Sequence, residues 1–167
     1  MYSFKTLQVS SYDNKPLPHT FMEQAGETQH LAVLLPGVGY TTRMPLLYYP
    51  TLELLRIGAD IMRVETVYVK RPEFDMLSPA EKAHWVSADA SAACQAALAQ
   101  RSYQQITLVG KSLGTLAMGH LLTSASGLDK AQAIWLTPLL WHDTLRTQIC
   151  QAMPRSLFVA GTADPHN

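Results

Sequence analysis

Apolar runs of strand length alternate with longer stretches of helical spacing along most of the chain, and this alternation predicts an α/β sheet. Phe4–Val9 and Leu17–Met22 flank a polar segment in which Asp13, Asn14 and Pro16 supply a turn. The two runs therefore predict an antiparallel hairpin at the start of the sheet. His30–Leu35 is continuously apolar after its histidine, the pattern of a strand covered on both faces. Further strands are expected over Asp60–Thr66, Gln105–Val109, Ala131–Thr137 and Ser156–Ala160.

Helical patterns fill the gaps. Pro50–Ile57 carries apolar residues at helical spacing and stops at Gly58, a natural residue for the position after a helix. Ser78, Pro79 and Glu81 spell a capping box with proline at the first helical position, so a helix is predicted from there to about Gln100. Another is expected from Ser112 to about Ala125, closed by Gly127, and a weaker one over Asp143–Ala152 before Pro154. The expected architecture is a three-layer α/β/α sandwich, with a mostly parallel sheet and the antiparallel hairpin at its N-terminal end. With no repeat, low-complexity tract or linker, residues 1–167 read as one domain.

Composition narrows the function classes. The 167 residues are 47% hydrophobic and 16% charged, which excludes a disordered chain. Thirteen Lys plus Arg balance thirteen Asp plus Glu, and no long run of like charge appears, so nucleic acid is not an expected partner. The longest apolar run ends at Pro36, far short of a membrane span, and the first residues carry no signal-peptide core. Cys94 and Cys150 cannot frame a disulfide scaffold, so a reducing cytoplasm is the expected compartment.

The chemistry concentrates at Gly110-Lys111-Ser112-Leu113-Gly114, between an apolar strand and a helix. This is G-x-S-x-G in strand–turn–helix context, a nucleophile elbow. The serine must occupy a sharp, strained turn, and the flanking glycines let strand and helix approach closely. The N–H of Leu113, at the helix N-terminus, can then face an oxyanion. A phosphate loop is the competing reading, because Gly110-Lys111-Ser112 resembles the end of its motif. That motif needs a glycine at position 105, where Gln105 stands, and the residues between read as strand. The nucleotide reading fails, and with neither a ligand cluster nor a dinucleotide motif, neither metal nor cofactor is expected.

With these residues in place, the chain resembles the α/β-hydrolase family along nearly its whole length. The hairpin, the apolar strand ending in Pro36-Gly37-Val38-Gly39, the elbow, and the strand ending in Gly161-Thr162-Ala163-Asp164 arrive in that family's order. Its elbow is most similar to those of small, lidless, dienelactone-hydrolase-like members. The resemblance implies that the loop after the third strand supplies a second oxyanion N–H, from Val38. It also implies that Asp164 is the acid of a catalytic triad, orienting a histidine. A turn aspartate before Pro165 is the plainer alternative.

The histidine is missing from its family place. His166 is too near Asp164 to be presented separately, and His120 lies well down the helix from Ser112. His19, His30 and His84 sit on early strands or a flanking helix. His142, after the strand beside the elbow strand, is the one internal candidate for a base. The expectation is a histidine beyond Asn167, with the eighth strand and last helix of the family fold also absent. The apolar strand Ser156–Ala160 would then be an edge that dimerises, aggregates, or is covered by more chain in a longer protein, and the last is favoured. Between Pro138 and Pro154 there is room for no lid, so the site should be open. Leu139, Leu140, Trp141 and Tyr40 form either an apolar wall beside Ser112 or ordinary packing. The leading reading is a serine hydrolase of small esters or related acyl compounds, forming an acyl-enzyme. The rival is a non-catalytic scaffold or partner-binding domain with a broken triad.

Overall fold

A computed structural model describes residues 1–128 and 130–162. Seven strands form one sheet in the order β1-β2-β4-β3-β5-β6-β7. They are β1 (Tyr2–Lys5), β2 (His19–Gln24), β3 (His30–Leu35), β4 (Asp60–Val64), β5 (Gln105–Lys111), β6 (Gln132–Leu136) and β7 (Arg155–Val159). The pairs β1–β2 and β2–β4 are antiparallel, and the pairs from β4 through β7 are parallel. Five helices accompany them: α1 (Pro45–Arg56), α2 (Pro72–Asp75), α3 (Pro79–Leu98), α4 (Leu113–Ser124) and α5 (Asp143–Ala152).

Strand alternation splits the core into two sides. Leu31, Val33 and Leu35 of β3, Leu108 of β5 and Trp135 of β6 pack with α3, α4 and α5. Ala32, Leu34, Ile61, Val109 and Leu136 face the other way, toward Leu47 and Leu54 of α1. The expected three layers are present, and among the described helices α1 alone covers the second face of the sheet. This parallel core with period-2 burial on both sides is what a doubly covered sheet requires.

Several elements depart from the sequence reading. The hairpin exists, but its first strand is Tyr2–Lys5 rather than Phe4–Val9; Leu7 and Val9 are buried outside the ladder. Val9 and Ser10 pair with Leu17 and Pro16 in a small separate closure of the turn. Helix α1 begins at Pro45, with Pro50 inside it, rather than starting at Pro50. A 3-10 turn at Tyr68–Lys70 and the short α2 follow β4, where no element was expected. The capping box of α3 is formed as predicted, with Ser78 and Glu81 bonding reciprocally. Gly58, at φ 89°, stands just past the C-cap of α1.

The chain order determines where a site can form. From β3 the chain passes through α1 to β4 on one side, and later returns to β5 on the other. The carboxyl ends of β3 and β5 therefore flank a topological switch point, where ligands bind in open α/β sheets. Residues 36–40 and 111–113 emerge there.

Candidate active site

Ser112 joins β5 to α4 with φ 51° and ψ −114°, a backbone conformation that side-chain-bearing residues rarely adopt. The bonds around it brace the turn. Its N–H donates to Leu136 O on β6 at 3.0 Å, and its carbonyl accepts from the Thr115 N–H at 2.8 Å. The buried Thr115 hydroxyl donates to the same carbonyl at 2.6 Å.

The flanking glycines are required by contact. A Cβ on Gly110 would collide with Met118 Sδ and lie 2.8 Å from Gly114 O. One on Gly114 would collide with Leu35 O and lie 2.7 Å from Pro36 O. The second case matters most, because it brings the start of α4 directly against the end of β3. Leu113 and the loop holding Val38 are thereby made neighbours.

That loop is itself a tight turn. The Gly37 N–H donates to Tyr40 O at 3.1 Å, and Val38 O accepts from the Val69 N–H at 3.2 Å. Tyr40 Oη accepts from the Leu46 N–H in the first turn of α1 at 2.8 Å. Among the described residues, neither the Val38 N–H nor the Leu113 N–H has a hydrogen-bond partner. Leu113 opens a twelve-residue helix whose positive end points at Ser112. Among the described residues, two amides without partners and a strained serine thus lie on adjoining turns at the switch point; backbone donors are the groups that can hold negative charge developing on an oxygen.

The remaining candidates fall elsewhere. Asp164, and His166 beside it, lie outside the described residues. Among the described residues no imidazole hydrogen-bonds Ser112. His142 caps α5 and lines a cavity of about 180 Å³ with His84, Leu116, His120 and Gln148, and Ser112 is not among its lining residues. Among the described residues its buried Nδ1 has no hydrogen-bond partner. His19 Nδ1 is 2.8 Å from Leu17 O, and His30 Nε2 is 2.9 Å from Thr107 Oγ1 within the sheet. Leu139 packs on the α3–α5 side of the sheet and Tyr40 on the α1 side, while Trp141 is exposed. Ordinary packing accounts for the first two. No group of three or more His, Cys, Asp or Glu among the described residues could hold a metal ion.

Sequence reasoning missed how the loop is held. The pattern offers Tyr40 only as an apolar wall or as ordinary packing, and neither the Val69 N–H nor the Thr115 hydroxyl carries a motif. Lys111 adds a further contact: its Nζ lies 4.9 Å from the centre of the Tyr40 ring. The pair Gly37-x-x-Tyr40, with a second glycine between, is the one sequence signal that could have suggested a closed turn.

No family model matches the chain, and no curated protein shows significant sequence similarity to it. Solved structures do match. A candidate α/β hydrolase of unknown function from Agrobacterium tumefaciens superposes with a TM-score of 0.70 at 14% identity, over 98% of this chain and 75% of its own. Dienelactone hydrolase from Anabaena variabilis gives 0.60 at 12% identity, over 95% and 85%. An esterase from Pyrococcus furiosus gives 0.62 at 14% identity, over 84% of this chain; the chain spans about half (53%) of that esterase's length. The fold is that of the α/β hydrolases. Among the described residues, no helix is long and apolar enough to cross a membrane.

Proposed function

We propose that this chain carries the active centre of a serine hydrolase acting on small esters or related acyl compounds. The observation that carries the reading is Ser112, held at φ 51° at the switch point where the N–H groups of Val38 and Leu113 have no partner among the described residues. In the proposed reaction Ser112 Oγ attacks the acyl carbonyl carbon, and its proton passes to a general base. The electron pair of the carbonyl bond moves onto oxygen, where the two amides hold it. The tetrahedral intermediate collapses, the leaving group departs with a proton, and water then hydrolyses the acyl-enzyme. Asp164 is proposed as the carboxylate that orients the base. Only α5 intervenes between β6 and β7, which supports an open site and a small substrate.

A second reading, a non-catalytic scaffold or partner-binding domain, is favoured by one observation: no described imidazole engages Ser112. Weak turnover does not separate the two, because oxyanion contacts alone leave roughly 10³–10⁴-fold catalysis over water. A fluorophosphonate probe does. Intact mass is expected to show one adduct on the wild-type chain and none on Ser112→Ala. An unlabelled wild type favours the scaffold, and a label that persists in Ser112→Ala removes Ser112 from the mechanism.

A further inference from the structure

We infer that Lys111 is a positioning residue for the Val38 amide, clamping the loop of residues 37–40 through its stem and its charge. Lys111 stands immediately before the serine, and its stem and its ammonium both meet the loop across the switch point. A Cβ built on Gly37 would sit 3.3 Å from both Lys111 Cδ and Lys111 O, so the lysine stem and backbone lie flat against that glycine. The stem then carries the ammonium over the Tyr40 ring, at 4.9 Å from its centre.

Tyr40 is well placed to pass this grip on. Its carbonyl takes the Gly37 N–H at 3.1 Å and its hydroxyl takes the Leu46 N–H at 2.8 Å, so the residue ties the turn to α1. Val38, between the clamped residues, is fixed on its carbonyl side by the Val69 N–H. With its neighbours held, its N–H keeps one direction. Among the described residues Lys111 makes no ion pair, and the aromatic face is the partner its charge does have. A lysine needed only for solubility would extend into water. This one is half-buried and folded back onto the loop.

The catalytic consequence rests on the hydrolase reading, whereas the clamp itself does not, and two readouts separate them. The first is the ¹⁵N-relaxation order parameter of the Val38 amide in the labelled full chain. The second is the rate at which a fluorophosphonate modifies Ser112. Lys111→Ala and Tyr40→Leu are each expected to lower the Val38 order parameter and to lower the limiting modification rate on the order of tenfold, with half-saturation unchanged. That is less than the roughly 10²–10³-fold cost of removing an oxyanion donor outright. The double variant should lose less than the two single losses combined, because both remove the contact between the ammonium and the ring. Lys111→Arg, which keeps stem and cation, should restore both readouts, and Lys111→Met should fall between.

An unchanged Val38 order parameter in both Lys111→Ala and Tyr40→Leu would overturn the clamp. So would a loss in Lys111→Arg as large as in Lys111→Ala. A lowered order parameter with a wild type that takes no label at Ser112 would support the clamp and sink the hydrolase reading. Should Lys111→Ala not fold, the comparison of Lys111→Met with Lys111→Arg decides the matter by the same two readouts.

Discussion

At Gly114 a single hydrogen stands between the start of α4 and two carbonyls of the β3 end. Those carbonyls are backbone, so a methyl group there cannot be accommodated by a side-chain rotation. Gly114→Ala is expected to destabilise the chain by about 1–3 kcal/mol, the ordinary range for overpacking, and to slow Ser112 labelling as α4 is pushed from the loop. Urea unfolding and the labelling rate check the two parts. His30 makes a different residue-scale prediction. It is buried at the opposite end of the strand, with Nε2 against Thr107 Oγ1, and burial lowers its pKa from the ordinary imidazole value. The unfolded chain therefore takes up the proton first as pH falls. His30 is neutral in both states above about pH 6.5, and stability is lost progressively below that, down to the lowered native pKa. In His30→Gln this contribution to the pH slope should vanish, as measured by urea midpoints at about pH 7 and about pH 5.

Elements announced by local chemistry were legible in the sequence. Helix α3 starts where Ser78, Pro79 and Glu81 say it does, because a capping box satisfies backbone donors using only neighbours in the chain. Ser78→Ala is expected to cost about 1 kcal/mol, read as a lower melting temperature. Helix α5 spans Asp143–Ala152 as its pattern suggests, and the strand–turn–helix around Ser112 was readable for the same local reason. Elements decided by tertiary contact were not. Leu7 and Val9 look like strand residues, yet they fill the core from a loop while the exposed Tyr2 and Phe4 make the ladder. Apolarity reports burial, and a buried loop and a buried strand satisfy it equally. Pro50 was read as a helix start because proline favours that position, but Pro45 already occupies it. The site divides along the same line. The Ser112 turn could be named from its motif and Val38 from the family resemblance, whereas the grip of Tyr40, Val69 and Lys111 on the loop depends on which strands become neighbours.

Among the described residues, the two faces and two ends of the sheet are unequally covered. Helices α2 to α5 pack on one side and α1 packs the other. All five residues of β7 are exposed, Leu157 at 57% and Phe158 at 46%, and its outer edge bonds to no described strand. An apolar edge strand is a template for another strand, and self-pairing through it remains a proposal. Leu157→Lys should leave stability within about 0.5 kcal/mol of wild type. It should also lower the concentration dependence of the sedimentation coefficient; an unchanged dependence would show that β7 does not mediate self-association.

The contact between Gly114 and the β3 carbonyls also bears on when the chain becomes reactive during folding. The strained conformation of Ser112 is braced by Leu136 on one side and by a close approach to residues far upstream on the other. A short peptide spanning the turn has neither support. The serine can reach its native geometry only after β3, β5 and β6 have assembled, and closing such long loops is slow compared with helix formation. Ser112 therefore works as a clock for the last stage of folding. In a refolding experiment, far-ultraviolet circular dichroism should recover first, and capture by a serine-directed probe should appear only when the parallel sheet is complete.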